Sequence, residues 1–262
     1  MPMAPISCFI ISKNEGDRIA RTIRSVRPWV REVIVIDAES SDDTVSVALA
    51  EGCRVITQPW LGFGPQKRFG EDQCRNDWVL NIDADEVVTP ELAREIIATF
   101  AKGDPEFVAY GMPIEMIYPG AEAPRPMARD HWYVRLYNRG FARFRDSNVH
   151  DSVVTDGHPV GALHAPVFHY SMRSFADMKR KLDERTWLLV KNAGLSSRLE
   201  LAARLPVELP VNFFKYYIVR RHWTGGLTGL RYASIQAGFR FLKIYRMWRS
   251  ANAKTGPENL AF

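Results

Sequence analysis

Short apolar runs and amphipathic stretches alternate along the first hundred residues. Residues 6–11 form an apolar run of strand length, 17–26 carry apolar positions at helical spacing, and 33–37 return to an apolar run. The rhythm continues with a helix over 42–51, a strand over Arg54–Thr57, a helix over 64–75 and a strand over 78–83. Strands apolar on both faces and separated by helices imply an α/β, Rossmann-like fold, a mainly parallel sheet with helices on both faces. Thr89 before Pro90 makes an N-cap and first-turn pair, which starts a helix through Phe100. After Gly103 the rhythm loosens. Residues 107–113, 132–137 and 160–163 read as strands, 119–126 as a flexible connection rich in proline and alanine, and 174–192 as a helix with Lys179, Arg180 and Lys181 on a solvated face.

Beyond Leu205, residues Leu227, Leu230, Ser234, Ala237, Phe241, Ile244 and Trp248 recur at spacings of three and four, which draws one apolar stripe on a helix. Arg231, Lys243, Arg246 and Arg249 lie beside or opposite it. Charge changes the picture here. Residues 1–204 hold 26 Lys and Arg against 28 Asp and Glu, net −2, whereas 205–262 hold 9 against 2, net +7, with ten aromatic residues between Phe213 and Trp248. This composition suits an anionic surface. No run reaches the roughly 18 apolar residues of a spanning helix, and the start of the chain lacks the basic region of a signal peptide. The three cysteines, Cys8, Cys53 and Cys74, form no paired framework and lack zinc spacing, which points to a reducing compartment.

Parallel sheets place their functional loops at the carboxyl ends of the strands, so acids there invite a chemical reading. Asp83, Asp85 and Glu86 end the strand over 78–83, and in extended backbone Asp83 and Asp85 would point to the same side. Two converging carboxylates repel unless a cation lies between them, and few hard oxygen ligands suit Mg²⁺ or Mn²⁺ bridging to phosphates. The alternative is that these acids cap the next helix. Asp42 and Asp43 are explained as caps of the helix over 42–51, but Asp37, directly at a strand end, is placed to accept hydrogen bonds from a ribose or a base. Glu15, beside Gly16, is either a helix-entry charge or a base contact.

Taken together, Ile10-Ile-Ser12-x-Asn14-Glu15, Val35-Ile36-Asp37 with Ser41-x-Asp43-Thr44, and Asp83-x-Asp85 resemble a family 2 inverting glycosyltransferase of the GT-A fold. Gly62-Phe-Gly-Pro-Gln66-Lys67-Arg68 before Trp78-Val-Leu-Asn-Ile-Asp-Ala-Asp-Glu86 is similar to the donor-side signature of the lipopolysaccharide inner-core β-1,4-glucosyltransferases. The resemblance covers residues 6 to about 170. It implies that Glu15 and Asp37 contact a uridine, that Asp83 approaches the ribose, that Asp85 binds the Mg²⁺ or Mn²⁺ bridging a diphosphate, with Asp83 beside it, and that Lys67 or Arg68 adds charge near the base or pyrophosphate. For Lys67 and Arg68 a solvated basic helix face remains the alternative.

An inverting transfer also needs a general base for the acceptor hydroxyl. The candidate is Asp151, where the resemblance expects Val-His-Glu and the chain has Val149-His150-Asp151, with a side chain one methylene shorter. His150 is an orienting neighbour or a packed polar residue. His169 resembles the histidine that closes over the metal or diphosphate, and it is otherwise a satisfied structural residue. The division expected is a GT-A catalytic domain over 1–204, with a nucleotide-sugar half at 1–103, an acceptor half at 104–172 and helices at 173–204, followed by a basic helical tail at 205–262. The activity implied is transfer of a hexose, glucose by the closer resemblance, from a UDP-sugar to a lipid-linked glycan. The expected partners are that acceptor and an anionic membrane surface, not nucleic acid, at the cytoplasmic face of the membrane. A polyprenyl-phosphate acceptor and a non-catalytic polyanion-binding module are the alternatives. A Rossmann dehydrogenase does not fit, because no G-x-G-x-x-G follows the first strand.

Overall fold

The computed structural model describes residues 3–101, 103–128, 131–147, 151–191 and 197–253. Two compact units divide the chain, one of Met1–Ile117 with Arg129–Ser171, the other of Tyr118–Ala128 with Met172–Phe262.

The first unit follows the expected alternation. It runs β1 (Ala4–Ser12), α1 (Ile19–Val26), β2 (Val30–Asp37), α2 (Thr44–Ala50), β3 (Arg54–Thr57), α3 (Phe63–Gln73), β4 (Trp78–Asn81), β5 (Glu86–Val88) and α4 (Pro90–Thr99). Strands β6 (Ala109–Met116), β7 (His131–Asn138), β8 (Arg143–Phe144), β9 (Val153–Val154), β10 (Val160–Ala162) and β11 (Val167–His169) complete it. Among the described residues one large sheet has the order β3-β2-β1-β4-β7-β6-β11-β5, with β10 also on β6, while β8 and β9 pair apart from it. The β3-β2-β1-β4 part is parallel, and β7 runs antiparallel to both β4 and β6. Thr89 Oγ1 accepts the Leu92 amide at 3.2 Å, the cap expected at the head of α4.

Strand alternation sorts the core into two layers. Ile6, Cys8 and Ile10 of β1, with Val33 and Val35 of β2, bury against Ile19 and Ile23 of α1, Ala48 of α2 and Leu92 and Ile96 of α4. Phe9, Ile34, Ile36, Val79 and Tyr137 face the other way, with Phe144 and the partly buried Phe69 of α3. Helices therefore cover both faces, as the doubly apolar strands require.

The second unit holds α5 (Phe175–Lys191), α6 (Arg198–Phe214) and α7 (Gly226–Ala253), with a π-turn over Lys215–Val219 and a 3₁₀ turn over His222–Gly225. Its core includes Met178, Leu201, Tyr216, Tyr232, Ala237 and Ile244. Tyr118 Oη lies 2.5 Å from Nδ1 of the buried His222, whose ring stacks on Tyr232 at 4.4 Å. The proline-rich segment expected to be a flexible connection belongs to this unit, and Arg125 is buried with its guanidinium donating to the Arg220 carbonyl at 3.2 Å. The boundary read at residue 204 from charge falls inside α6, because packing follows the helix and not the net charge. The stripe on α7 is split as well: Ala237 and Ile244 are buried within the unit, whereas Leu227 and Leu230 are exposed.

Candidate active site

Three adjacent strands deliver their carboxyl ends to one edge of the sheet. Ser12 stands opposite Asp37, and Phe9 opposite Asn81, so the residues after β1, β2 and β4 meet there. Asn14 adopts a left-handed φ of 56°, which asparagine tolerates, and its Oδ1 accepts the Ser41 amide at 2.8 Å. Asp37 is buried and accepts the Ser40 amide at 2.8 Å and the Ser40 hydroxyl at 2.5 Å. Asp42 accepts from the Thr44 amide at 3.0 Å and the Gly16 amide at 3.1 Å, but it lies one residue ahead of the N-cap position, where Asp43 makes no side-chain capping hydrogen bond, so the expected acidic caps are not formed.

The acidic motif departs from the expectation of an extended strand with both aspartates on one side. Strand β4 ends at Asn81, and Asp83-Ala84-Asp85-Glu86 is a turn closed by the Glu86 amide on the Asp83 carbonyl at 2.9 Å. A turn removes the period of two, so the acids diverge. Asp83 faces two cations: Lys67 Nζ at 3.0 Å and Arg135 Nη2 at 3.1 Å. Burial raises the Asp83 pKa, but Lys67 and Arg135 outweigh it and hold the carboxyl well below its usual range. Arg135 also reaches Glu86 at 2.8 Å and Asn81 Oδ1 at 2.6 Å. Burial pushes the Glu86 carboxyl up against the pull of Arg135.

Lys67 does not lie on a solvated helix face. It is fully buried on α3, and its ammonium bridges Asp83 and Asp151, the latter at 2.9 Å. The candidate base thus stands beside the acidic turn, joined to it by one cation. Gly64 permits this approach, because a Cβ there would lie 2.2 Å from the Arg145 carbonyl and 2.5 Å from that of Ser147. Arg68 donates to the Phe144 carbonyl at 2.8 Å and ties α3 to β8. His150 lies outside the described residues.

Asp85 turns to the other side. Its Oδ2 lies 3.4 Å from His169 Nε2 and 3.5 Å from Arg18 Nη2. Strand β11, which the sequence pattern did not yield, sets His169 opposite Glu86 in antiparallel register. Burial lowers the His169 pKa, but the hydrogen bond and charge of Asp85 more than reverse it; burial likewise raises Asp85, and His169 brings it down. Arg18 clasps the Glu15 carboxylate through Nε and, at 2.8 Å, through Nη2, and donates to the Tyr170 carbonyl at 2.8 Å.

The structure brings Asp83 together with Lys67 and Asp151, and Asp85 together with His169. Among the described residues no three His, Cys, Asp or Glu side chains converge as a metal cage. Asp85 and His169 nevertheless fit an open site, since Mg²⁺ and Mn²⁺ take one or two protein ligands when phosphates and waters fill the rest. At this edge the carboxyl groups of Glu15, Asp83, Asp85, Glu86 and Asp151 meet Arg18, Lys67, Arg135 and His169. Sequence reasoning missed Arg18 and Arg135; the signal for Arg135 was a lone charge in the apolar half of a strand.

The sequence matches glycosyl transferase family 2 over residues 7–157, and the chain belongs to that family. It is 39% identical over 261 residues to an uncharacterized glycosyltransferase of Rickettsia felis, covering 95% of this chain and 91% of that one. It is 26% identical over 263 residues to the lipopolysaccharide core biosynthesis glycosyltransferase LpsC of Rhizobium meliloti, covering 98% and 97%. Among solved structures, S. aureus TarS 1-349 superposes with a TM-score of 0.45 at 13% identity, over 99% of this chain and 93% of that one.

Proposed function

We propose that this glycosyltransferase moves a hexose, with inversion, from a UDP-sugar to a lipid-linked glycan acceptor, a lipopolysaccharide core or similar envelope glycan, at the cytoplasmic face of the membrane. The observation that carries the reading is the shared ammonium of Lys67. It holds Asp151, from a segment 84 residues away, against the acidic turn at the sheet edge. In this reading Asp37 and Glu15 receive the uridine, Asp83 the ribose, and Asp151 accepts the proton of the attacking acceptor hydroxyl as the bond from the anomeric carbon to the diphosphate breaks. Arg68 anchors α3, and Lys67 keeps Asp83 and Asp151 in place. Asp85 and His169 would hold a Mg²⁺ or Mn²⁺ ion, which when bound neutralises the leaving diphosphate as a Lewis acid. Protein ligands must be deprotonated to bind metal, so a proton on His169 competes with the ion.

Full-length chain is heated with UDP and a panel of UDP-hexoses, with and without Mg²⁺ or Mn²⁺; a bound donor raises the melting temperature by mass action. Asp151→Asn should keep that protection and lower turnover by on the order of 10²–10⁴, the usual worth of a positioned base. Turnover near that of the unaltered chain removes Asp151 from the reaction, and absence of protection by every UDP-sugar removes the donor assignment.

A further inference from the structure

The helical unit contains a cavity of about 240 Å³ between α5, α7 and the π-turn that follows α6. Arg185, Arg220, Arg240 and Lys243 line it, and no acid does. The nearest acids on α5 are engaged elsewhere: Asp183 with Arg246 at 2.6 Å and Glu184 with Arg180 at 2.9 Å. Among the described residues none of the four lining cations has an ion pair. Four like charges around one space repel each other, and a bound anion relieves that repulsion.

The rest of the lining is the polar pair Thr186 and Gln236, which hydrogen-bond the Leu182 carbonyl and the Tyr232 hydroxyl, together with apolar and aromatic side chains. Leu182 and Leu189 come from α5, Tyr216 from the π-turn, and Tyr232 and Phe239 from α7. On the α5 side Leu189, which lines the cavity, is 43% accessible. The volume falls below the roughly 300–1,000 Å³ that encloses a whole drug-sized ligand, so it takes a headgroup and leaves the remainder outside. Four cations, an accessible leucine and a small volume describe one chemistry.

We infer that this cavity is a binding site for the phosphate headgroup of a phosphorylated amphiphile, whose hydrocarbon portion leaves past the accessible Leu189. The inference deepens the proposed lipid-linked acceptor and rests on it for the origin of the amphiphile, though the cavity's charge stands without it. Charge-assisted hydrogen bonds from arginine to phosphate supply the affinity.

The test titrates the full chain with dihexanoyl phosphatidic acid, which is water-soluble, with dihexanoyl phosphatidylcholine and with inorganic phosphate. Saturable binding of the first, with the other two much weaker, is the expected result. Arg240→Gln and Lys243→Gln should each weaken it by on the order of tenfold. Lys215→Gln and Arg231→Gln, outside the cavity, should leave it near the unaltered value. No saturable binding, equal binding of the choline lipid or of free phosphate, or equal losses from cavity and outside substitutions overturns the inference. An unchanged melting temperature for each variant separates lost binding from lost fold. UDP-sugar protection measured on the same variants separates failure of this site from failure of the transferase reading.

Discussion

Two clusters of charge, one in each unit of the chain, are built in opposite ways. At the sheet edge Lys67, Arg135 and Arg18 are each held by carboxylates, and Lys67 and Arg135 are almost wholly removed from water. In the helical unit Arg185, Arg220, Arg240 and Lys243 stand around a cavity lined by no acid, where Leu189 is 43% accessible. A buried charge survives only when paired and hydrogen-bonded, so the first arrangement is internal machinery set in place by the fold. Unpaired cations beside exposed apolar side chains are tolerated only at a surface, and there they favour an anionic, amphiphilic partner.

The sharpest way to break this comparison is to remove a matched cation. Arg135→Met leaves Asp83 and the buried Glu86 without their shared partner and should lower stability by about 3–5 kcal/mol, read by urea denaturation. A loss no larger than that of a surface substitution would show that the edge is not charge-matched. Gly64→Ala comes next, because its Cβ meets backbone oxygens that cannot swing away. It should reduce stability by about 1–3 kcal/mol and, by moving the segment that leads to Asp151, reduce transferase activity further than the stability loss explains.

Glu32, on β2, tests pairing away from the active edge. It accepts the Ser7 hydroxyl at 2.7 Å and the Arg75 amide at 3.0 Å and pairs with Arg54 at 3.1 Å. Burial raises its pKa, but these donors reverse that and leave it below the ordinary value. A depressed carboxyl contributes stability that is complete above its unfolded pKa, near 4.3, and is lost as pH falls through the lower folded value. Glu32→Gln should therefore cost about 1 kcal/mol at neutral pH, with the gap closing in strong acid. A gap constant with pH contradicts the assignment. The smallest effect is expected for Arg246→Gln in the helical unit, whose partner Asp183 is 44% accessible and whose guanidinium covers Trp187 at 4.3 Å. About 0.5–1 kcal/mol by thermal unfolding is the expected loss, screened by salt.

Much of the first unit was legible because its signals are local. Apolar runs separated by helical periods gave β1 through β4 and α1 through α4 to within a few residues, and Thr89-Pro90 marked the head of α4. Strands β5, β8, β9 and β11 are two or three residues long, too short to show a period, yet β11 is the strand that carries His169 to Asp85. Helix α6 was hidden by Pro206 and Pro210, which ordinarily stop a helix. The site's acids were readable as strand-end residues. Their cations were not, because Lys67 on α3 and Arg135 on β7 reach the edge only through tertiary pairing, and the turn at Asp83 separates two carboxylates that an extended strand would have aligned.

The place of β7 in the sheet has a consequence for synthesis. It lies between β4 and β6 yet follows both in the chain. A growing polypeptide at about 5–20 residues per second therefore exposes Asp83 and Glu86 for seconds before Arg135 leaves the ribosome, and longer before Asp151 does. During that interval the acids have water for a partner and the sheet has an open edge at β4. Closure of the sheet thus completes the charged edge, and a nascent fragment ending before β7 has the acidic loops without the strand that neutralises them.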